Sequence, residues 1–241
     1  MPVSVNLVRT VFAEHLRGPL LLPSRPGKRV EYGRFVENSR SYEGAPVSRI
    51  AVIIGSTREG RFADKPARWV TGRLAELDGI EVDLIDLRDH PLPPFDVAPP
   101  ALTKREYPTP ETARLGERID RADGFVILAA EYNHGYPATL KNAMDHTFVE
   151  WQRKPVAFVG WGNVGGARAI EQLRSVAVEF EMAPLRHAVH ILPDVMMPAR
   201  QAPEPFDPAM FAALDDRLDR LVTDLLWWTE TLAKARAAGA D

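Results

Sequence analysis

From residue 50 onward, short unbroken apolar runs alternate with stretches whose apolar residues recur every three or four positions. Residues 50–54, Ile-Ala-Val-Ile-Ile, form the first run, the pattern of a strand covered on both faces. A glycine-bearing loop follows, then residues 63–77, with Ala67, Val70, Leu74 and Leu77 on one helical face. The same logic predicts strands over 82–87, 124–129, 156–160 and 187–192, and helices over 112–121, 137–148 and 167–180. Pro137 suits the first position of its helix, where the missing N–H costs nothing. A last helix is predicted over 207–235, with Leu214, Leu218, Leu221, Leu225 and Trp228 as its buried stripe. The proline-rich segment 91–110 reads as a long loop, a kind of segment that tends to be functional or mobile.

Five strands alternating with five helices predict an α/β fold, a parallel sheet with helices on both faces. Right-handed crossovers leave few strand orders. The flavodoxin-like order 2-1-3-4-5 places the topological switch point between strands one and three. The two most unusual loops of the chain follow those two strands, where open α/β sheets bind ligands.

Residues 1–46 lack the alternation. Gly18-Pro19, Pro23 to Gly27 and Gly44-Ala45-Pro46 leave one short helical candidate, residues 5–16. The predicted organisation is therefore a loosely ordered N-terminal extension (1–46), a flavodoxin-like domain (47–235) and a polar tail (236–241). Charge follows the same division. Residues 1–49 hold eight basic and four acidic side chains, against 22 and 29 in the remainder. The extension reads as a functionless tail or as an arm packing on the body or a partner. Its charges are too scattered to favour nucleic acid.

Composition narrows the classes further. A net charge of −3 argues against a general nucleic-acid binder. The 241 residues contain no cysteine, which removes disulfide, thiolate and Cys-zinc chemistry and fits a cytoplasmic protein. No apolar stretch approaches the roughly 18 residues of a membrane span. The opening Met1-Pro2-Val3 lacks the basic start of a secretory signal.

The loop Gly55-Ser56-Thr57-Arg58-Glu59-Gly60-Arg61-Phe62-Ala63 leads from strand one into a helix N-terminus, where unpaired N–H groups and the helix dipole favour an anion. Hydroxyls at Ser56 and Thr57 and guanidinium groups at Arg58 and Arg61 suit a phosphate monoester. The Gly55-to-Gly60 spacing imitates a nucleotide P-loop, but Arg61-Phe62 replaces the Lys-Ser/Thr pair that chemistry requires. After strand three, Glu131-Tyr132-Asn133-His134 offers polar edges and aromatic faces to a planar heterocycle. After strand four, Gly160-Trp161-Gly162-Asn163-Val164-Gly165 fits the dinucleotide fingerprint G-x-G-x-x-G. It follows the wrong strand, and no acidic residue ends the next one, so close backbone approach to a flavin is the preferred reading. A hydrolase or metal enzyme has little support. There is no Gly-x-Ser-x-Gly elbow, and His187 and His190 point to opposite faces of one strand.

Together the three loops resemble those of the NAD(P)H-dependent FMN reductase family, which has a flavodoxin-like fold. The shared motifs are Gly55-Ser56-Thr57-Arg58, then Glu131-Tyr132-Asn133 followed by Pro137-Ala138-Thr139-Leu140-Lys141-Asn142-Ala143-Met144-Asp145, and Gly165-Gly166. Ala130 stands where the family usually has proline, and the third loop lacks a serine that some members carry. The resemblance spans about residues 48–192. It implies that Ser56, Arg58 and Arg61 hold the FMN phosphate with the N–H groups of Phe62 and Ala63. It also implies that Glu131, Tyr132, Asn133 and His134 line the isoalloxazine, with Gly160, Gly162 and Gly165 on its other side. The implied activity is hydride transfer from NADPH or NADH to FMN and onward reduction of a flavin, quinone, azo compound or similar small acceptor. The flavin does the chemistry, so no catalytic side chain is named, and a homodimer or homotetramer is expected. The competing reading is a flavodoxin-like FMN electron carrier without nicotinamide turnover, against which the two arginines of the first loop stand.

Overall fold

The computed structural model describes residues 48–96, 98 and 104–239. The predicted extension 1–46 and the last two residues of the predicted tail lie outside these.

Strand β1 (Ser48–Ile54) is buried from Ile50 onward, as its unbroken apolar run requires. It lies between β2 (Ile80–Asp86) and β3 (Gly124–Ala130); β4 (Pro155–Trp161) and β5 (Ala183–Ile191) complete a five-stranded sheet of order 2-1-3-4-5. All four pairings are parallel. The predicted fold class and strand order are those observed. Every residue of β3 and β4 is buried.

Alternate residues of these strands feed two cores. Ile50, Val52, Val126, Leu128 and Val159 pack with α1 (Asp64–Ala75) on one face. Ala51, Ile53, Phe125, Ile127 and Phe158 meet α2 (Pro110–Arg121), α3 (Ala138–Asp145) and α4 (Ala167–Glu179) on the other. Each fully buried Ile, Leu or Phe contributes about 1.5–3 kcal/mol through burial. Helix α2 starts where Thr109 Oγ1 accepts the Thr112 N–H at 3.1 Å, an N-cap. Helix α3 ends three residues before its predicted limit, because residues 146–153 fold into successive turns that bury Trp151 against Phe125 at 4.8 Å between ring centroids.

The carboxyl-terminal third departs from expectation. Strand β5 begins four residues early because Ala183 pairs with Pro155, and the register slips between Val156 and Phe158. A helix not predicted, α5 (Pro193–Gln201), follows it and buries Met196 and Ala199. The predicted last helix begins as a 3-10 turn, Pro208–Leu214, before α6 (Asp215–Ala237). The stripe of α6 runs through Leu218, Leu221 and Leu225 to Thr229, which is fully buried, whereas Trp228 is 39% exposed. Close approach to β3 explains the exchange: a Cβ at Gly124 would lie 2.5 Å from Thr229 Oγ1, so only a small side chain fits. The first tail residues are helical, and Arg236 is docked on the Arg153 carbonyl at 2.7 Å. No helix of the described residues is long and apolar enough to cross a membrane.

Candidate active site

Parallel pairing of Ile54 with Leu128 ends β1 and β3 side by side, so their loops emerge together. The loops are in contact. Ser56 Oγ and Tyr132 Oη share a hydrogen bond of 2.6 Å, and the Thr139 hydroxyl donates to the Gly55 carbonyl at 2.8 Å. Tyr132 and Gly135 exchange backbone hydrogen bonds of 2.8 and 3.0 Å across Asn133 and His134. Both central residues have positive φ, 49° and 71°, as a type I′ turn demands. Asn and His are among the few non-glycine residues that adopt this conformation readily, which explains the pair.

The first loop divides its arginines. The Arg58 guanidinium stands 5.3 Å from the Tyr132 ring centroid and makes no ion pair among the described residues. Arg61 departs from the expectation that it reaches a phosphate. Its side chain is 2% exposed, donates to the Ser56 carbonyl at 2.6 Å, and pairs with Asp64 and Asp86. Burial works against the charge of Asp86, but hydrogen bonds from Arg61 and the Arg88 N–H outweigh it and hold this carboxyl below its usual range. Arg61 thus braces the loop from behind. Phe62 is buried against Trp161 at 5.8 Å, and Ala63 is the N-cap of α1. The N–H groups of Phe62 and Ala63 have no partner among the described residues.

After β4, the three glycines have different surroundings. Gly162 lines a cavity. A Cβ at Gly160 would come within 2.9 Å of Ile170 Cδ1, and one at Gly165 within 2.8 Å of His190 Cβ, so those two serve packing inside the protein. Gly166 has a φ of 75°, and a Cβ there would sit 2.6 Å from the Trp161 nitrogen. The start of α4 is already occupied. The buried Glu131 carboxylate accepts from the Arg168 N–H at 3.2 Å and from Arg168 Nε at 2.6 Å. A carboxylate already at that helix start repels a pyrophosphate and speaks against a dinucleotide reading of the G-x-G-x-x-G match. His134 Nε2 lies 3.0 Å from Arg168, and its carbonyl accepts from Gln172, so its ring shapes the turn.

These elements enclose a cavity of about 360 Å³ lined by Arg58, Phe62, Glu131, Tyr132, Asn133, His134 and Gly162. Seven of the twelve predicted residues therefore meet on one surface. Ser56 lies behind Tyr132, and Arg61, Ala63, Gly160 and Gly165 support the walls. Trp161, Asn163, Arg168, Met196 and Arg200 complete the lining. The last two come from α5, whose existence the sequence pattern did not suggest. A larger cavity of about 560 Å³ opens on the other side of the first loop, lined mainly by Leu87, Pro91, Leu92, Pro94 and residues of α3. Of the residues singled out in the first loop, Thr57 lines this cavity and not the smaller one. There Asn142 straps the proline-rich loop: it accepts from the Phe95 N–H at 2.9 Å and donates to the Pro93 carbonyl at 2.8 Å.

A parallel sheet of order 2-1-3-4-5 with a cationic loop at its switch point defines a flavodoxin-like fold. The family is shown by sequence: residues 48–194 match the model of the NADPH-dependent FMN reductase family, and the chain belongs to it. A Schizosaccharomyces pombe protein named NAD(P)H-dependent FMN reductase is 37% identical over 144 residues, 58% of this chain and 72% of the relative. A Pseudomonas putida protein named quinone reductase is 30% identical over 145 residues, 56% and 73% of the two chains. Among solved structures, the flavoenzyme NAD(P)H:acceptor oxidoreductase FerB of Paracoccus denitrificans superposes with a TM-score of 0.58 at 23% identity. That match covers 77% of this chain and 98% of the other and shares the fold.

Proposed function

We propose that the chain binds FMN in the cavity between the loops after β1, β3 and β4 and uses it to pass electrons from NADPH or NADH to a small organic acceptor. One observation carries the reading: the hydroxyl contact between Ser56 and Tyr132 joins a cationic loop to an aromatic turn on one polar cavity. The residues suit the ligand. Arg58 supplies an unpaired guanidinium, the N–H groups of Phe62 and Ala63 point from a helix start, and about 360 Å³ lies in the range of small-molecule sites.

FMN, when bound, supplies two-electron acceptance from the nicotinamide and return of those electrons to the acceptor. The protein's part is binding and orientation. Arg58 and the α1 start would hold the phosphate end. Tyr132, fixed through its hydroxyl to Ser56, and the backbone of the Asn133-His134 turn would hold the ring edge. Glu131, neutralised by Arg168, keeps the turn closed without leaving a free negative charge beside an electron-rich ring.

Anaerobic addition of NADPH or NADH to the flavin-loaded protein tests the reading. Rapid bleaching of the flavin absorbance is expected. A protein that stays yellow after both would be an electron carrier of the flavodoxin type. The same reading includes a homodimer or homotetramer, which light scattering decides: two or four chains are expected, and a monomer would remove that part.

A further inference from the structure

We propose that Arg200, on α5, is a ligand of the FMN 5′-phosphate and takes the place expected of Arg61; the inference rests on FMN occupying the cavity proposed above. The first loop offers two arginines, and only Arg58 faces the cavity. Arg61 is spent on Asp64 and Asp86. Of the acids, Glu131 alone lines the cavity, and Arg168 pairs with it. Two guanidinium groups on that lining, Arg58 and Arg200, make no ion pair or hydrogen bond to an acid among the described residues. A phosphate monoester carries a charge of about −1.5 to −2 at neutral pH, which two unpaired arginines match.

Placement favours the phosphate over the rest of the ligand. Arg200 sits in the last turn of α5. That end of the helix is tied to the start of α1, because Lys65 Nζ donates to the carbonyls of Ala199 and Ala202 at 2.7 Å each. The ammonium group also complements the carbonyl end of the α5 dipole. Met196 anchors the same helix in the core, one turn before Arg200. Arg200 is thereby held beside the helix start to which the first loop leads, and Phe62, the neighbour of that start, lines the same cavity. Residue 200 lies beyond residues 48–194, the stretch matching the family model.

Fluorescence titration of apoprotein with FMN and with riboflavin tests the assignment, because riboflavin lacks only the phosphate. Arg200→Ala should weaken FMN at least about 10-fold and leave riboflavin unchanged. Arg200→Lys should restore part of the loss, since an ammonium keeps the charge but not the fork. Raising salt should weaken FMN more in the unmodified protein than in Arg200→Ala. Equal FMN affinity in Arg200→Ala overturns the inference, and so does an equal loss for both flavins. A rise in the KM for NADPH with FMN affinity intact also overturns it, by assigning Arg200 to the dinucleotide. Failure of the unmodified apoprotein to bind FMN would instead remove the parent reading, and the inference with it.

Discussion

Three positions separate Arg58 from Arg61, yet one faces the candidate cavity and the other is sealed behind the loop. Two acids decide it: Asp64 one turn further on, and Asp86 at the end of β2. Arg58→Ala should therefore lower FMN affinity roughly 10- to 150-fold with little change in stability, by loss of charge-assisted bonds of about 1.5–3 kcal/mol. Arg61→Ala should do the reverse first, lowering stability by about 3 kcal/mol as Asp86 loses its buried partner. Denaturant titration beside flavin titration separates the two. A pH effect that comes from burial of a charge is expected at the opposite end of the sheet. Lys154 is 6% exposed and donates to the Ile119 and Asp120 carbonyls, and burial pushes its ammonium down to about 8. The unfolded chain keeps that proton up to about 10.5, so the contribution of Lys154 to stability is smallest below pH 8 and grows as pH rises toward 10.5. The stability difference between the unmodified protein and Lys154→Met should increase over that window, by up to about 3 kcal/mol. A flat difference would contradict the placement of this lysine.

At the scale of elements, the strand-loop-helix units of the first four strands were legible because each strand is an unbroken apolar run, a signal that needs no partner to be read. Helix α5 was not legible. Pro193 and Pro198 lie within it and Pro203 and Pro205 follow, a density of proline that reads as loop. Packing of Met196 and Ala199 and the Lys65 cap hold it nonetheless. The inward turn of Arg61 was hidden for a related reason, since Asp86 is 25 positions away and only the pairing of β1 with β2 brings it near. Trp228 illustrates the limit of periodicity: the pattern placed it on the buried stripe, and the approach of α6 to Gly124 gave that position to Thr229. The loop after β4 is the element most sensitive to a single methyl group. Gly166→Ala adds a Cβ 2.6 Å from the Trp161 nitrogen at a φ of 75°. It should destabilise the fold by about 2 kcal/mol or more and loosen the Glu131–Arg168 contact. Unchanged thermal unfolding would show that the loop yields without cost.

For the whole molecule, the sheet acts as a frame that delivers three loops to one edge, and the described residues that line the candidate cavity all lie between residues 58 and 200. Removal of residues 1–46 should therefore preserve soluble expression and flavin content; loss of either would give that segment a structural role. The central claim, that the loops after β1, β3 and β4 jointly hold the flavin, is tested most directly by the crystal structure of the protein soaked in FMN. Density for the ring between Tyr132 and Gly162, with the phosphate at Arg58 and the α1 start, is the predicted result. An empty crevice, or FMN seated in the larger cavity beside Leu87, Pro91 and Asn142, would contradict it.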